Sequence, residues 1–334
     1  MKTILQFPIF SRFSNLKKKL GWAGTQLGTL MIINLIFIIY LSNNSPAFLT
    51  TRNMLAVGVA MAGNTLCSMG SVLVLLTGGF DLSVGSSYGL AGVIVAHALL
   101  RGAPVWLAIL LGVLTGLLIG LINGLLVAKI DIHAFIATMG TMTAARGLIN
   151  VLTEGYSISG LPEAFTRLIS ARILGLPPSL VIMVVVVVMT DLLLRFWRPA
   201  RQLYYVGSSP EYARLVGIPV NKVRIIAFAL SGIFAAIGGI LFTARTAAAS
   251  QQAGIGIEMI ALLAPFLGGV GFGGKGTAFG AFMGAMLIAL IINSIQLLGI
   301  ASLWHSVIIG ACLIIAALIG MTRMRQVMTR GIAR

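Results

Sequence analysis

Charge is what this sequence has least of. Asp and Glu number seven among 334 residues, and all charged types together reach 9%, against about 25% in soluble domains. That shortage sets water-soluble folds aside. Cysteine is nearly as scarce. Cys67 and Cys312 both fall inside apolar runs, so they build neither a disulfide framework nor a four-ligand zinc site and are expected as buried, inert thiols. Three scattered histidines give no metal cluster and no convergent nucleophilic site. A long polar stretch is missing too: the widest gaps between apolar runs are 153–178 and 198–223, too short for a soluble domain.

Apolar runs fill the space left. The chain is 58% hydrophobic with a mean hydropathy of +1.05, and about 20 apolar residues suffice to cross a bilayer as a helix. Ten spans are expected: 24–41, 54–77, 83–100, 104–128, 133–152, 179–197, 224–244, 256–270, 277–298 and 302–320. Two are irregular, since 83–100 follows the Gly78-Gly79 break and 256–270 is short and holds Pro265. Interrupted spans are tolerated where protein covers the loose backbone. The basic start followed by Thr25 to Leu41 reads as a signal anchor rather than a cleaved peptide.

The net charge of +16 would suggest nucleic acid on a soluble domain. Here the cations sit between apolar runs, and membrane topology accounts for them without nucleic acid. With ten spans and both termini cytoplasmic, 17 of the 23 cations lie inside, which fixes the orientation. The fold class is therefore an all-α polytopic membrane helix bundle, one domain over 1–334. Its inner parts are basic tails at 1–23 and 321–334 and the loop 198–223.

Several motifs need weighing. Gly112, Gly116, Gly120 and Gly124 recur every four residues, and Gly276, Gly280 and Gly284 repeat the pattern. Such faces let helix backbones approach closely, within the chain or in a dimer. In GSSPEYARLVGIP, Gly207 to Pro219, Ser209 suits a helix cap with Pro210 at the first position. Ser208 and Glu211 form an alternative capping box, and Gly217 with Pro219 ends the helix. The resulting helix, 210–216, is too short to stand alone in water, so either its own bundle or a partner packs against it.

Asp81, in LTGGFDLSVGS, is expected to cap the third span by accepting from Ser83 or Val84. A proton-relay role would need a second ionisable group in the membrane. Arg146, Arg245 and Glu258 fall toward the outer side, where an Arg–Glu pair and a solute pathway are both open readings; His305 stands at another outer span end. Asn64, Asn123, Asn150, Asn293 and Gln296 suit interhelical hydrogen bonds and equally a passage for a hydroxyl-rich solute. Asp81 and Glu258 are too few, and too peripheral, for an ion-coupled transporter.

Two motifs mislead. Gly85-Ser86-Ser87-Tyr88-Gly89 matches the serine-hydrolase elbow but opens a membrane helix. GGVGFGGKGT, Gly268 to Thr277, has the G-x-x-x-x-G-K of an ATP-binding loop, with Gly276 where Ser or Thr should hold magnesium. It lies between two apolar runs with no strand before it, so it is expected to be a turn.

Taken in order, LTGGFDLSVGS (76–86), GLINGLLVAKI (120–130), AFIATMGTMTAARGL (134–148), GSSPEYARLVGI (207–218) and LGGVGFGGKGTAFGAFMGA (267–285) resemble the ribose-type monosaccharide permeases of bacterial ABC importers. These belong to the larger branched-chain permease family, and the resemblance runs from about residue 50 to 320. It implies a ten-helix inner-membrane subunit beside cytoplasmic ATPases, a second permease subunit (identical or paralogous) and a periplasmic solute-binding protein. It implies that ATP and magnesium sit on the partner subunits and no cofactor on this chain. It also places Ser209, Pro210, Glu211, Tyr212, Ala213, Arg214 and Gly217 in the helix that couples to the ATPase, with a small polar solute moved by alternating access: a monosaccharide first, with a nucleoside, a branched-chain amino acid or a sugar-like signalling molecule as alternatives. Two departures stand out: Phe80 where the family has Ile, and Pro265-Phe266 in the run before the second glycine pair.

Overall fold

The computed structural model describes residues 8–301 together with 304, 307–312 and 314, and side chains from 26 onward except 170. Among the described residues there are helices and isolated bridges but no β-strands. The helices are α1 (Pro8–Asn44), α2 (Thr51–Leu76), α3 (Val84–Leu100), α4 (Val105–Ala128), α5 (Ala134–Thr153), α6 (Glu163–Ser170), α7 (Pro178–Phe196), α8 (Arg198–Ser208), α9 (Pro210–Leu215), α10 (Val220–Thr246), α11 (Ile257–Leu267) and α12 (Ala278–Leu297). Seven of them are long and apolar enough to cross a membrane.

Nine of the ten expected spans have a helix at their place, and 302–320 lies largely outside the described residues. The two irregular spans are the two short ones: α3 has 17 residues and α11 has 11. The basic tails, 1–23 and 321–334, lie outside the described side chains. The helices α6 and α8 occupy stretches, 163–170 and 198–208, in which no helix was expected.

Of the seven long helices α2 is the most enclosed and α1 the least. Packing at the centre depends on missing side chains. A methyl group added at Gly116 would strike the Gly232 carbonyl of α10, one at Gly120 the Phe228 carbonyl, and one at Gly124 the Ile225 backbone. The glycine face of α4 is thus spent inside the chain, on α10 at Gly116, Gly120 and Gly124 and on Val95 of α3 at Gly112, because only hydrogen leaves room for such close approach. Gly280 and Gly284 face the Gly268 and Ala264 carbonyls at α11 in the same way. Gly276 does not belong to that face. It precedes the N-cap Thr277, whose Oγ1 accepts from Gly280 N (3.0 Å), and its φ of 126° suits a turn.

Candidate functional site

Both interrupted spans break where the chain re-enters the protein. α2 stops at Leu76 and residues 77–83 run unwound before α3; α10 stops at Thr246 and 247–256 form turns before α11. The first turns of α3 and α11 meet, for Gly85 lies against the Gly254 carbonyl and the Glu258 carboxylate. An acid accompanies each helix start, as the partial positive charge there favours.

Asp81 is 1% exposed. Its Oδ1 accepts from Ser83 N (3.0 Å) and Ser83 Oγ (2.6 Å), and its Oδ2 from Ser231 Oγ of α10 (2.7 Å). Asn123 of α4 donates Nδ2 to Ser83 Oγ (2.8 Å), and Thr141 of α5 donates to Asn123 Oδ1 (2.7 Å). The expected bond from Ser83 N is made, but the cap is corrected: Ser83, not Asp81, is the N-cap of α3, and no side chain caps that helix. The peripheral placing is corrected: the carboxylate holds an unwound segment to α10, and Ser83 extends the network to α4 and α5. Backbone without helix bonds inside a membrane protein needs such partners.

Of the two open readings, the Arg–Glu pair does not form among the described residues. Arg146 Nη1 of α5 donates to the carbonyls of Ala253 (2.8 Å) and Gln251 (3.3 Å), acceptors that the turns of 247–256 leave free. Glu258 Oε1 accepts from Gly256 N (3.1 Å), while its Oε2 is buried with no hydrogen-bond partner. Arg245 is exposed, with its guanidinium 5.4 Å from the Phe242 ring centre. Among the described residues the ion pairs are Arg167–Glu163 (2.8 Å) and Arg195–Asp191 (2.6 Å).

The amides divide. Asn293 of α12 exchanges two hydrogen bonds with Asn53 at the start of α2 (3.0 and 3.2 Å), a structural clasp. Asn64 is half-buried on α2 with no side-chain hydrogen bond, and Gln296 is exposed. Asn150 is exposed on α5 and belongs to a strip that sequence reasoning missed: Ile136, Gly140, Thr143, Gly147 and Asn150, all exposed along one helix face. Nothing lies within 4 Å of a methyl group placed at Gly140 or Gly147. Two glycines seven apart in AFIATMGTMTAARGL were the available signal. His305 lies outside the described residues; Cys67 is buried as expected, whereas Cys312 is only half-buried.

At the opposite end from 153–178, α8 runs into α9. Ser209 is at once the C-cap of α8 and the N-cap of α9, its Oγ accepting from Tyr212 N (3.4 Å). Ser208 does not make the alternative capping box; its Oγ donates to Tyr204 O (2.8 Å) and Gly273 O (3.2 Å). Gly217, at φ 81°, ends the turn that follows α9. Ala213 is buried, whereas Tyr212, Leu215 and Val216 are 72%, 81% and 75% exposed, flanked by exposed Glu211 and Arg214. A helix six residues long thus presents apolar side chains outward.

The glycine-rich segment after α11 is a turn closed by Gly271 N to Lys275 O (3.0 Å). It lies against α8, where Gly274 meets the Tyr204 carbonyl and Tyr204 Oη donates to Gly276 O (3.0 Å). Burial pushes the Tyr204 phenol up from its usual range, with Asp191 adding to the effect, so it stays protonated and able to donate. Asp191 of α7 accepts from Phe279 N (3.1 Å) in the first turn of α12.

The family model described as branched-chain amino acid transport system / permease component matches residues 53–317. The ribose import permease protein of Bacillus subtilis is 37% identical over 287 residues, 85% of this chain and 89% of that protein. The D-allose transport system permease protein of Escherichia coli is 34% identical over 292 residues, 87% of this chain and 89% of the relative. The autoinducer 2 import system permease protein of Photorhabdus laumondii is 35% identical over 268 residues, 80% of each. No solved structure matches the chain.

Proposed function

The chain belongs to the branched-chain transport system permease family, and on that premise we propose that it moves a monosaccharide, a pentose or hexose, through alternating access driven by ATPases docked on α9. It is a multi-pass permease subunit of the bacterial inner membrane and a transport component rather than an enzyme; ATP hydrolysis resides in partner subunits. Likeness to ribose and allose permeases over most of the chain supports the sugar.

The observation that carries the coupling is α9. Capped by Ser209 and anchored by Ala213, it turns Tyr212, Leu215 and Val216 outward beside Glu211 and Arg214. An aromatic and apolar centre with a charged rim is the composition of a protein-docking patch. The loop 198–223 is then the ATPase-facing element, and 153–178, the largest outer segment, receives the solute-binding protein. The α5 strip faces a second permease subunit across the solute path, since Thr143, Asn150 and two bare glycines are poorly suited to lipid. ATP and magnesium stay with the partners. Closure of the ATPases favours one state of the bundle only through a difference in contacts at α9.

Uptake of labelled D-ribose, D-allose and L-leucine into proteoliposomes containing the full importer tests the solute class. Saturable entry of one of the sugars without L-leucine is expected, and entry of L-leucine alone would overturn the reading. The autoinducer permease relative favours a sugar-like signalling molecule as the second reading, which the same vesicles test.

A further inference from the structure

Phe80 and Phe266, far apart in the chain, touch the same ring. Phe272, at the tip of the 271–275 turn, packs edge-on against Phe80 with centroids 4.5 Å apart and planes at 61°. Its other contact is Phe266, 5.6 Å away at 57°. Phe80 belongs to the unwound segment before α3 and stands next to Asp81; Phe266 belongs to the last turn of α11. One ring therefore joins the two interrupted spans on the side of α8, packing on the phenylalanines at 80 and 266.

The turn carrying Phe272 is tied to the end of α11 by Gly269 N to Phe266 O (3.1 Å) and Val270 N to Pro265 O (2.9 Å), leads into the cap of α12 at Thr277, and is gripped from the side by α8. Tyr204 Oη grips Gly276 O and Ser208 Oγ grips Gly273 O, while Gly207 backs onto Gly274 and the Leu76 carbonyl at the end of α2. At the grips and between them, Gly273, Gly274 and Gly276 have positive φ, as does Gly269 just before the turn, the conformation of a segment that bends at glycine. α8 and α9 share Ser209, so displacement of one displaces the other.

We propose that Phe272 and Tyr204 are positioning residues that pass movement of the docked α9, through α8 and the glycine turn, to Phe80 and the Asp81 segment. The proposal rests on the reading of α9 as the ATPase contact. Edge-to-face aromatic pairs suit this use, being directional yet weak enough singly to part and re-form during a cycle. The physical link is contiguous: hydrogen bond, hinge, ring contact, then an unwound segment held by a carboxylate network.

The test uses the whole importer in proteoliposomes with its solute-binding protein and D-ribose as probe. Phe272→Ala is expected to keep D-ribose-stimulated ATP hydrolysis within about twofold of wild type while uptake falls roughly tenfold, and Phe272→Tyr, which keeps the ring, to restore uptake. Tyr204→Phe is expected to give a smaller uptake loss of the same kind. Uptake undiminished in Phe272→Ala overturns the proposal, as does loss of stimulated hydrolysis together with uptake, which would place Phe272 in docking. Glu211→Ala/Arg214→Ala separates the two readings, because retained stimulation there counts against α9 as the contact, whatever Phe272 does. If Phe272→Ala fails to assemble, Phe80→Cys/Phe272→Cys in a Cys67→Ala/Cys312→Ala background replaces it. Cross-linking that pair should stop uptake until reductant is added, and uptake indifferent to the cross-link overturns the link.

Discussion

Asp81 shows how much one carboxylate can organise when little else is charged. Three donors converge on it, from Ser83 N, Ser83 Oγ and Ser231 Oγ. Asp81→Ala leaves them without their acceptor at a site closed to water, at a cost of about 1–3 kcal/mol for each group left unsatisfied. Asp81→Asn keeps one acceptor oxygen and should fall between alanine and wild type. Thermal unfolding in detergent checks the order, and equal melting temperatures for all three would deny the network its structural role. Gly116→Val makes a second residue-scale test. Its side chain must enter the space of the Gly232 carbonyl, so the same assay should show destabilisation of about 1–3 kcal/mol. The four-residue glycine spacing made the α4 face legible in the sequence. The depth of Asp81 was not, because local patterning suggests a carboxylate serving the nearby helix start, whereas tertiary packing carries it into the interior and onto Ser231 of α10.

Elements differ in how far they announce themselves. α9 was legible to within a residue, since Ser209, Pro210, Gly217 and Pro219 are local stop and start chemistry. Removing the cap with Ser209→Ala should destabilise α9 by about 1 kcal/mol. Tyr212→Ala and Leu215→Ala, which truncate the outward face, are each expected to weaken binding of the ATPase subunit about fivefold or more. Titration of that subunit onto the permease in nanodiscs checks both, and binding indifferent to either truncation would remove α9 from the interface. The α5 strip was less legible. Small and polar residues on a span read equally as interhelical contact, and only the packed bundle shows that this face is left uncovered. Arg146 and Glu258 look like an ion pair in sequence; the unwound backbone between α10 and α11 claims the guanidinium first.

At the scale of the molecule, order recurs: a long helix, an unwound segment, a short helix and a long helix, once from α2 to α4 and again from α10 to α12. The two short helices start against each other inside the bundle. Hydropathy found both spans but not their meeting, which depends on contacts far apart in the chain. That arrangement leaves movable, glycine-flanked segments at the centre and rigid helices around them, and α9 stands at one end of it. The account therefore stands on the claim that force enters at α9 and solute moves as a result. ATP-dependent D-ribose uptake by the reconstituted importer, with wild-type chain against Glu211→Ala/Arg214→Ala, measures it most directly. Uptake that requires the ATPase and is lost in the double variant is the expected result. Uptake by this chain alone, driven by an ion gradient and unaffected by the two substitutions, would contradict it.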